Sequence, residues 1–245
     1  MSALLRGELL KLRTTRTFAA LVGAALALSL LVVVLTLLLG SDFDEGDLRE
    51  LFSTDFSSLF ILLLGVMGMA GEWRHRTITS TVLAAPDRLR LTGAKVLAYA
   101  AAGSVLSLVV TATIMVVGTV ILSIDGDPTL GVLDLADVLW RNLVVAALLG
   151  AFGVGVGGVV RNQVVAIVGL LVLSFAVEPT VLGLAGQVGR FGPTVGAPNG
   201  LLTVDPVGVG GPDLLAPGLA LVVMVGWAAA GFVATTALLR RRDLV

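Results

Sequence analysis

The side chains that could do chemistry are few and are concentrated between residues 71 and 95. That stretch reads GEWRHRTITSTVLAAPDRLRLTGAK and carries two acids, Glu72 and Asp87, and four arginines, Arg74, Arg76, Arg88 and Arg90. Arginine presents a rigid, permanently charged fork that suits carboxylates, so the segment could bind an acidic partner. Lipid phosphates would satisfy the same side chains, and composition alone leaves both interpretations open.

Side chains for catalysis or metal binding are missing from the sequence. The chain has no Cys and a single His, His75, so it lacks a thiolate, a His cluster and a base for a Ser nucleophile. Neither Lys11 nor Lys95 follows a Gly, so there is no Walker A loop, and any ATP must be bound by another chain. We therefore expect a chain that is not an enzyme and holds no cofactor and no metal.

The composition is that of a membrane protein. The chain has 245 residues, of which 57% are hydrophobic and only 13% are charged, with a net charge of −1. Its mean hydropathy is +1.03. Soluble domains carry about 25% charged residues, and disordered chains or nucleic-acid-binding surfaces need still more charge. We expect an all-α membrane protein with no nucleic-acid partner. The excess of Arg over Lys, 14 against two, and the richness in Ala, Val and Gly indicate a GC-rich bacterial genome, so the expected location is a bacterial plasma membrane.

Long apolar runs predict six membrane-spanning helices. About 20 residues are needed to cross about 30 Å of hydrocarbon at 1.5 Å per residue. The predicted spans are residues 18–39, 54–71, 96–122, 140–160, 162–182 and 217–239. The run between Asp55 and Glu72 is short, so its helix must extend past one end or the bilayer must thin there. The runs are continuous rather than alternating, which excludes a β-barrel.

The charges between these spans predict the orientation. Their net sign alternates from one connection to the next, and 13 of the 16 Lys and Arg residues fall on one side. By the positive-inside rule that side is cytoplasmic, so both termini, the loop of residues 72–95 and the Arg161 turn lie inside the cell.

Two amphipathic helices are predicted at the inner surface. The first 16 residues place Leu5, Leu9 and Leu12 on one helical face with Glu8 turned away, which predicts an interfacial helix; a frayed basic terminus is the alternative. Between spans two and three, apolar residues at helical spacing predict a short helix parallel to the membrane that ends before Pro86.

Acidic residues crowd the two outer segments that follow spans one and three. The first holds Asp42, Asp44, Glu45, Asp47, Glu50 and Asp55, and the second holds Asp125, Asp127, Asp134 and Asp137. A calcium loop needs acids at alternate positions around a Gly turn, and only Asp42, Asp44 and Gly46 match its start. A solvated acidic face is therefore favoured over a metal site.

Polar residues within the spans are candidates for a pathway or a gate. Glu178 interrupts the fifth apolar run near its outer end, where it is either a gate contact or, slightly favoured, a helix end that reaches water. Pro179 should kink or end that helix. Residues 183–216, apolar and rich in Gly and Pro, predict a re-entrant or capping segment. Ser57 and Ser58 are further candidates for a pathway.

Glycines in span four predict close helix packing. Gly153 and Gly157 form a GxxxG pattern, in which small residues allow two helix backbones to approach. The partner helix could belong to this chain, which is the commoner case, or to a second copy.

The inner loop resembles that of a known family. The residues Glu72-x-Arg74-His75-x-Thr77-x-x-Ser80-Thr81-x-Leu83-x-x-Pro86-x-Arg88, closing on Ala94-Lys95, are similar to the segment after span two in type-2 permeases of ATP-binding-cassette (ABC) transporters. The opening Gly7-Glu8-x-x-Lys11 is similar to theirs as well. One departure is Arg76, where many relatives have Gly. The specific part of the resemblance covers about 40 residues, and the six-span layout extends it to the whole chain.

The resemblance implies a single permease domain of an ATP-driven exporter, working as a dimer with separate ATPase subunits in contact with membrane lipids. The loop is implied to be a coupling helix that sits in a groove of the ATPase, with Glu72, Arg74, Arg76, Thr77, Arg88 and Arg90 as coupling residues. The alternative is a single-chain, ion-coupled secondary transporter. That class needs ionisable residues and broken helices near the midplane, and no charge is predicted to lie so deep.

Overall fold

The computed structural model describes residues 2–74, 87–204 and 214–241. Within these ranges the chain is helical and contains no β-strand. Six of the described helices are long and apolar enough to cross a membrane. The prediction of an all-α, six-helix integral membrane protein is therefore confirmed.

Ten helices make up the described fold. They are α1 (Ser2–Thr14), α2 (Arg16–Leu39), α3 (Glu45–Ser53), α4 (Ser57–Arg74), α5 (Arg88–Asp125), α6 (Val132–Val160), α7 (Gln163–Leu184), α8 (Gly186–Gly189), α9 (Gly196–Leu202) and α10 (Pro217–Arg241). The end of the bundle that holds α1 and the last turn of α4 is called the basic end below. The end that holds α3 is called the acidic end.

Helix α6 lies at the centre because its glycines allow α4, α5 and α10 to approach it closely; a Cβ atom on Gly150 would lie 2.6 Å from the Tyr99 carbonyl oxygen of α5. A Cβ atom on Gly157 would lie 2.6 Å from the Val66 carbonyl oxygen of α4, and one on Gly153 would overlap the same helix. On another face, a Cβ on Gly155 would lie 2.6 Å from the Cα of Gly231 in α10. The GxxxG pattern therefore packs within the chain, on α4, which settles the question that the sequence left open.

The second span is interrupted rather than continuous. It consists of α3, a short non-helical break, and α4. Asp44 and Asp47 form a capping box at the start of α3, with N–O distances of 2.8 and 3.1 Å, so these acids satisfy a helix terminus. Leu48 and Phe52 on its other face are fully buried. The segment that was predicted to be an acidic outer loop is thus largely a packed amphipathic helix.

Helix α5 is much longer than a membrane crossing requires. Its 38 residues correspond to about 57 Å, against about 30 Å of hydrocarbon. It begins at Arg88, ahead of the apolar run predicted from residue 96, because the Asp87 side chain caps the backbone N–H groups of Leu89 and Arg90. Helix α5 therefore extends from the charged loop through the whole bundle.

Helix α7 continues through Pro179 instead of ending there. Residues Leu173–Val177 form a π-helical turn, after which the helix resumes and ends at Leu184. A π-turn changes the register of the backbone hydrogen bonds, which accommodates a residue that has no N–H to donate.

The segment after α7 folds back onto the bundle. Helix α9 packs against α6 and α10, and Ala197 and Leu201 are fully buried. The Arg141 guanidinium of α6 donates a hydrogen bond of 2.8 Å to the Leu201 carbonyl, which satisfies the end of this short helix. Residues 205–213 of the predicted capping segment lie outside the described ranges.

Helix α1 packs on the bundle with a different face from the one predicted. Leu12 is buried as expected, but Leu9 is exposed and Glu8 is 5% exposed. The prediction that Glu8 turns away from the packed face is therefore wrong. Glu8 is buried because it meets buried positive charge on α5, a partner that helical periodicity within α1 cannot reveal.

Candidate functional site

Four alternating charges join three helices at the basic end. Lys95 of α5 is fully buried, and its Nζ lies 2.8 Å from Glu8 Oε2 and 2.7 Å from Glu72 Oε1. Lys11 of α1 approaches the same acids from the surface, at 2.8 and 3.2 Å. We refer to Glu8, Lys11, Glu72 and Lys95 as the basic-end cluster. Two acids and two bases cancel in charge, which makes their burial tolerable.

The ionisation of the α1 residues reflects this pairing. Burial raises the pKa of Glu8, but Lys95 and Lys11 outweigh it and hold the pKa below its ordinary value of 4.5. Burial lowers the pKa of Lys11, but Glu8 and Glu72 outweigh it and raise the pKa above 10.5. Both groups are therefore charged across the physiological pH range, and α1 is held in place electrostatically.

The structure separates the residues that were predicted to contact an ATPase. Glu72 lies in the last turn of α4, buried in the basic-end cluster, rather than in the loop that follows the helix; its coupling role stays a prediction. Arg74 is exposed at the end of α4. Arg88 and Arg90 lie in the first turn of α5, where Arg90 pairs with Asp87 at 3.0 Å. Arg76, Thr77 and the predicted coupling helix lie outside the described residues.

The end of α4 is also joined to the turn between α6 and α7. The Arg161 guanidinium lies 4.1 Å from the centre of the Trp73 ring, a cation–π contact. Arg74 Nη1 lies 3.5 Å from Gln163 Oε1 at the start of α7. The Arg161 turn, which the charge pattern predicts to be cytoplasmic, thus forms one surface with the last turn of α4.

A second polar cluster surrounds Asp55 in the break between α3 and α4. Asp55 Oδ1 accepts a 2.6 Å hydrogen bond from the Ser57 backbone N–H. Asp55 Oδ2 accepts hydrogen bonds of 2.7 to 2.8 Å from the hydroxyls of Ser57, Ser107 and Thr111. Asn142 of α6 donates to Thr111 Oγ1 at 3.2 Å. Helices α4, α5 and α6 therefore meet around one buried carboxylate.

Asp55 lies level with the middle of its neighbouring helices. Its partners Ser107 and Thr111 are half-way along α5. The backbone N–H of Phe56 donates a 3.2 Å hydrogen bond to Ser29, which is half-way along α2. The prediction that Asp55 belongs to a solvated acidic face, with no charge set deep in the spans, is therefore wrong. Because the second span breaks inside the bundle, Asp55, which lies in the break, is far from both ends of the bundle.

A cavity of about 300 Å³ opens beside Asp55 toward the acidic end. Ser58 of α4 and Ser174 of the π-turn line it together with Thr194, which belongs to the folded-back segment. Ser57 does not line the cavity but binds Asp55. Of the two serines predicted to line a pathway, the structure therefore brings Ser58 to a cavity and makes Ser57 a ligand of the buried acid.

Glu178 neither reaches water nor lines the cavity. It is 5% exposed, and its carboxylate accepts hydrogen bonds from the backbone N–H groups of Thr194, Val195 and Gly196, the shortest 2.7 Å. The Thr194 hydroxyl adds another at 2.7 Å. Because Thr194 and Val195 line the cavity, Glu178 holds the wall of that cavity in place. The interpretation of a helix end in water is wrong.

Two signals in the sequence pointed toward the residues that sequence reasoning missed. The charge-free run after Asp55 is too short for a crossing, which is what a break inside the bundle produces. Lys95 is one of only two lysines, and it directly precedes a long apolar run. Nothing in the local pattern identifies Ser107, Thr111 and Asn142, because their roles depend on contacts between helices.

The described residues contain no group of three or more His, Asp or Glu side chains that could hold a metal ion. A comparison with known protein families finds no match for this chain, and no curated protein matches it. The function of the chain is therefore inferred from the resemblance of its inner loop and from the geometry of its two clusters.

Proposed function

We propose that the chain is the membrane-spanning permease subunit of an ATP-driven ABC exporter, working as a dimer with separate ATPase subunits and with its basic end in the cytoplasm of a bacterial cell. The observation that supports the proposal is that α4 lines two cavities, one toward each end of the bundle. This helix lines the 300 Å³ cavity at the acidic end with residues up to Leu62. From Leu64 onward it lines a second cavity of about 720 Å³ at the basic end.

The same helix ends at the loop that resembles a coupling helix. Its last turn carries Glu72, which binds Lys95 of α5, and Arg74, which is exposed. The two helices that flank residues 75–86 are therefore tied together by a buried ion pair. A force applied to that loop would move α4 and α5 together and would alter both cavities, which is how alternating access operates.

The test is association with an ATPase. We expect the genes of this chain and an ABC ATPase to be neighbours, and the two products to co-purify from membranes. Reversing Arg74 and Arg76 together to Glu should weaken that association by about tenfold or more, since each exposed Arg–carboxylate pair contributes up to about 1 kcal/mol and repulsion replaces attraction.

A matched control reverses Arg240 and Arg241 to Glu, which makes the same change in charge at the end of α10. This control should retain ATPase binding and substrate-stimulated hydrolysis. Unchanged association and unchanged stimulation in the Arg74 and Arg76 double variant would remove the loop from the mechanism.

An ion-coupled secondary transporter is the second candidate, and one observation favours it. Asp55 occupies a break in a spanning helix, level with the middle of α2 and α5, which is an arrangement used by ion-coupled carriers. Uptake into sealed vesicles separates the candidates. An exporter requires ATP and its ATPase, whereas a secondary transporter works with the chain alone under a proton or sodium gradient.

A further inference from the structure

The cavity at the acidic end contains a single ionisable side chain. Of the described residues that line it, Asp55 alone is ionisable, and the remainder are apolar or carry hydroxyl and amide groups. We propose that this cavity binds a monovalent organic cation with an apolar body, for which Asp55 supplies the counter-charge. The inference deepens the proposed function, on which it rests, by naming the class of substrate.

Asp55 accepts hydrogen bonds but forms no ion pair with a cationic side chain among the described residues. The ion pairs of the described residues involve other acids. The N-terminus of α4 contributes about half a positive charge and the C-terminus of α3 about half a negative one, so the two helix ends cancel. Hydroxyls of Ser57, Ser107 and Thr111 donate to the carboxylate without supplying a positive charge. A ligand cation would complete the site.

The walls of the cavity favour an organic cation over a metal ion. Leu59, Val145 and Leu149 present apolar surface, and Phe56 and Phe175 bring aromatic rings, whose faces attract cations. A bare metal ion would require several oxygen ligands in a space of about the size of one water molecule, roughly 30 Å³. The cavity is about ten times larger, at about 300 Å³, and fits a small amphiphilic molecule.

A second observation points to a ligand in the same cavity. Ser174 lies in the π-helical turn of α7, and its hydroxyl is buried with no hydrogen-bond partner among the described residues. A buried hydroxyl that makes no hydrogen bond costs free energy, so a native structure normally provides it with a partner. Because Ser174 lines the cavity across from α4, a bound molecule can provide that partner. Turns of this type are frequent at functional sites.

The experiment measures binding of two ions that have the same shape and opposite charge. The full chain, purified in mild detergent without an ATPase, is dialysed to equilibrium against radiolabelled tetraphenylphosphonium or tetraphenylborate. We expect saturable binding of the phosphonium cation and none of the borate anion. Equal binding of both ions, or binding of neither, would overturn the proposal.

Substitutions at Asp55 and Ser174 test whether the phosphonium cation binds in this cavity. Asp55→Asn removes the charge with little change in shape and should raise the Kd for tetraphenylphosphonium by about tenfold or more. Glu45→Gln makes the same change in charge on the exposed surface of α3 and should leave the Kd unchanged. Ser174→Leu places side-chain volume in the cavity and should abolish binding, which keeps the test decisive if Asp55→Asn does not fold.

An Asp55→Asn variant that folds and binds the cation as tightly as the wild type would refute the role of Asp55. This outcome is distinct from failure of the proposed function. Cation binding by a chain that associates with no ATPase would leave the site standing and remove the exporter. ATPase coupling without cation binding would support the exporter and remove the cation site.

Discussion

Lys95 is fully buried, and the partners that compensate its charge come from α1 and α4. Replacing it by Ala would leave the carboxylates of Glu8 and Glu72 close together with only the exposed Lys11 beside them. We expect Lys95→Ala to destabilise the protein by about 3–5 kcal/mol, as measured by thermal unfolding in detergent micelles. Lys11→Ala removes the same charge from a side chain that is 57% exposed, and it should cost about 1 kcal/mol or less. Equal losses in the two variants would contradict this assignment.

Glu8 gives the stability a defined dependence on pH. Its folded-state pKa lies below the ordinary value of 4.5, so the stabilisation is fully present above pH 4.5 and is lost as pH falls through the lowered pKa. The raised pKa of Lys11 acts in the opposite direction and removes stability only at pH values above 10.5. We expect the melting temperature to fall as the pH is lowered below 4.5, and to fall less in Glu8→Gln. Parallel curves for the wild type and this variant would exclude Glu8 as the cause.

The individual residues of both clusters were only partly predictable from the sequence. Glu72 was recognised as significant, but its partner Lys95 lies 23 positions further along the chain, beyond any helical repeat. Asp55 was grouped with the acids before it because nothing local distinguishes a buried Asp from a solvated one. The distinction arises when hydroxyls of α5 reach its carboxylate, and this contact depends on the tertiary fold.

At the scale of elements, the contact between α4 and α6 depends on glycine. A Cβ on Gly153 would overlap the Leu62 carbonyl oxygen, which belongs to the backbone and cannot rotate away. We expect Gly153→Ala to lower stability by about 1–3 kcal/mol because the two helices must separate. Gly23→Ala in α2 is the control: nothing lies within 4 Å of its Cβ position, so it should be neutral or stabilising. Thermal unfolding of both variants in the same detergent provides the measurement.

The six long helices were predictable because an apolar run of sufficient length has few alternatives in a membrane protein. The ends of these helices were not predictable. A charge-free run shows which side chains face lipid or the core, whereas a helix ends where its backbone hydrogen bonds stop. Helix α5 begins at Arg88 because the Asp87 side chain caps it. Helix α7 continues through Pro179 because the π-turn before it changes the hydrogen-bond register, so the N–H that proline lacks is not needed. The break at Asp55 showed in the sequence only as a run too short to cross.

At the scale of the whole molecule, the distribution of Lys and Arg predicts that the basic end faces the cytoplasm. The chain has no Cys, so single Cys substitutions report orientation without background. We expect Glu45→Cys and Thr129→Cys at the acidic end to react with an impermeant maleimide added to intact cells, and Thr14→Cys at the basic end to react only after permeabilisation. Labelling of Thr14→Cys from outside would invert the orientation and remove the basis for a cytosolic ATPase partner.

The basic-end cluster also sets an order for biosynthesis. Lys95 follows Glu8 by 87 positions, so at about 5–20 residues per second both acids leave the ribosome seconds before their buried partner. During that interval α1 lacks α5, the helix that buries Glu8, and the cluster at the basic end is incomplete. The arrival of α5 is therefore the event that completes the cluster, and a chain that ends before Lys95 would leave Glu8 and Glu72 with only the exposed Lys11 to compensate their charge.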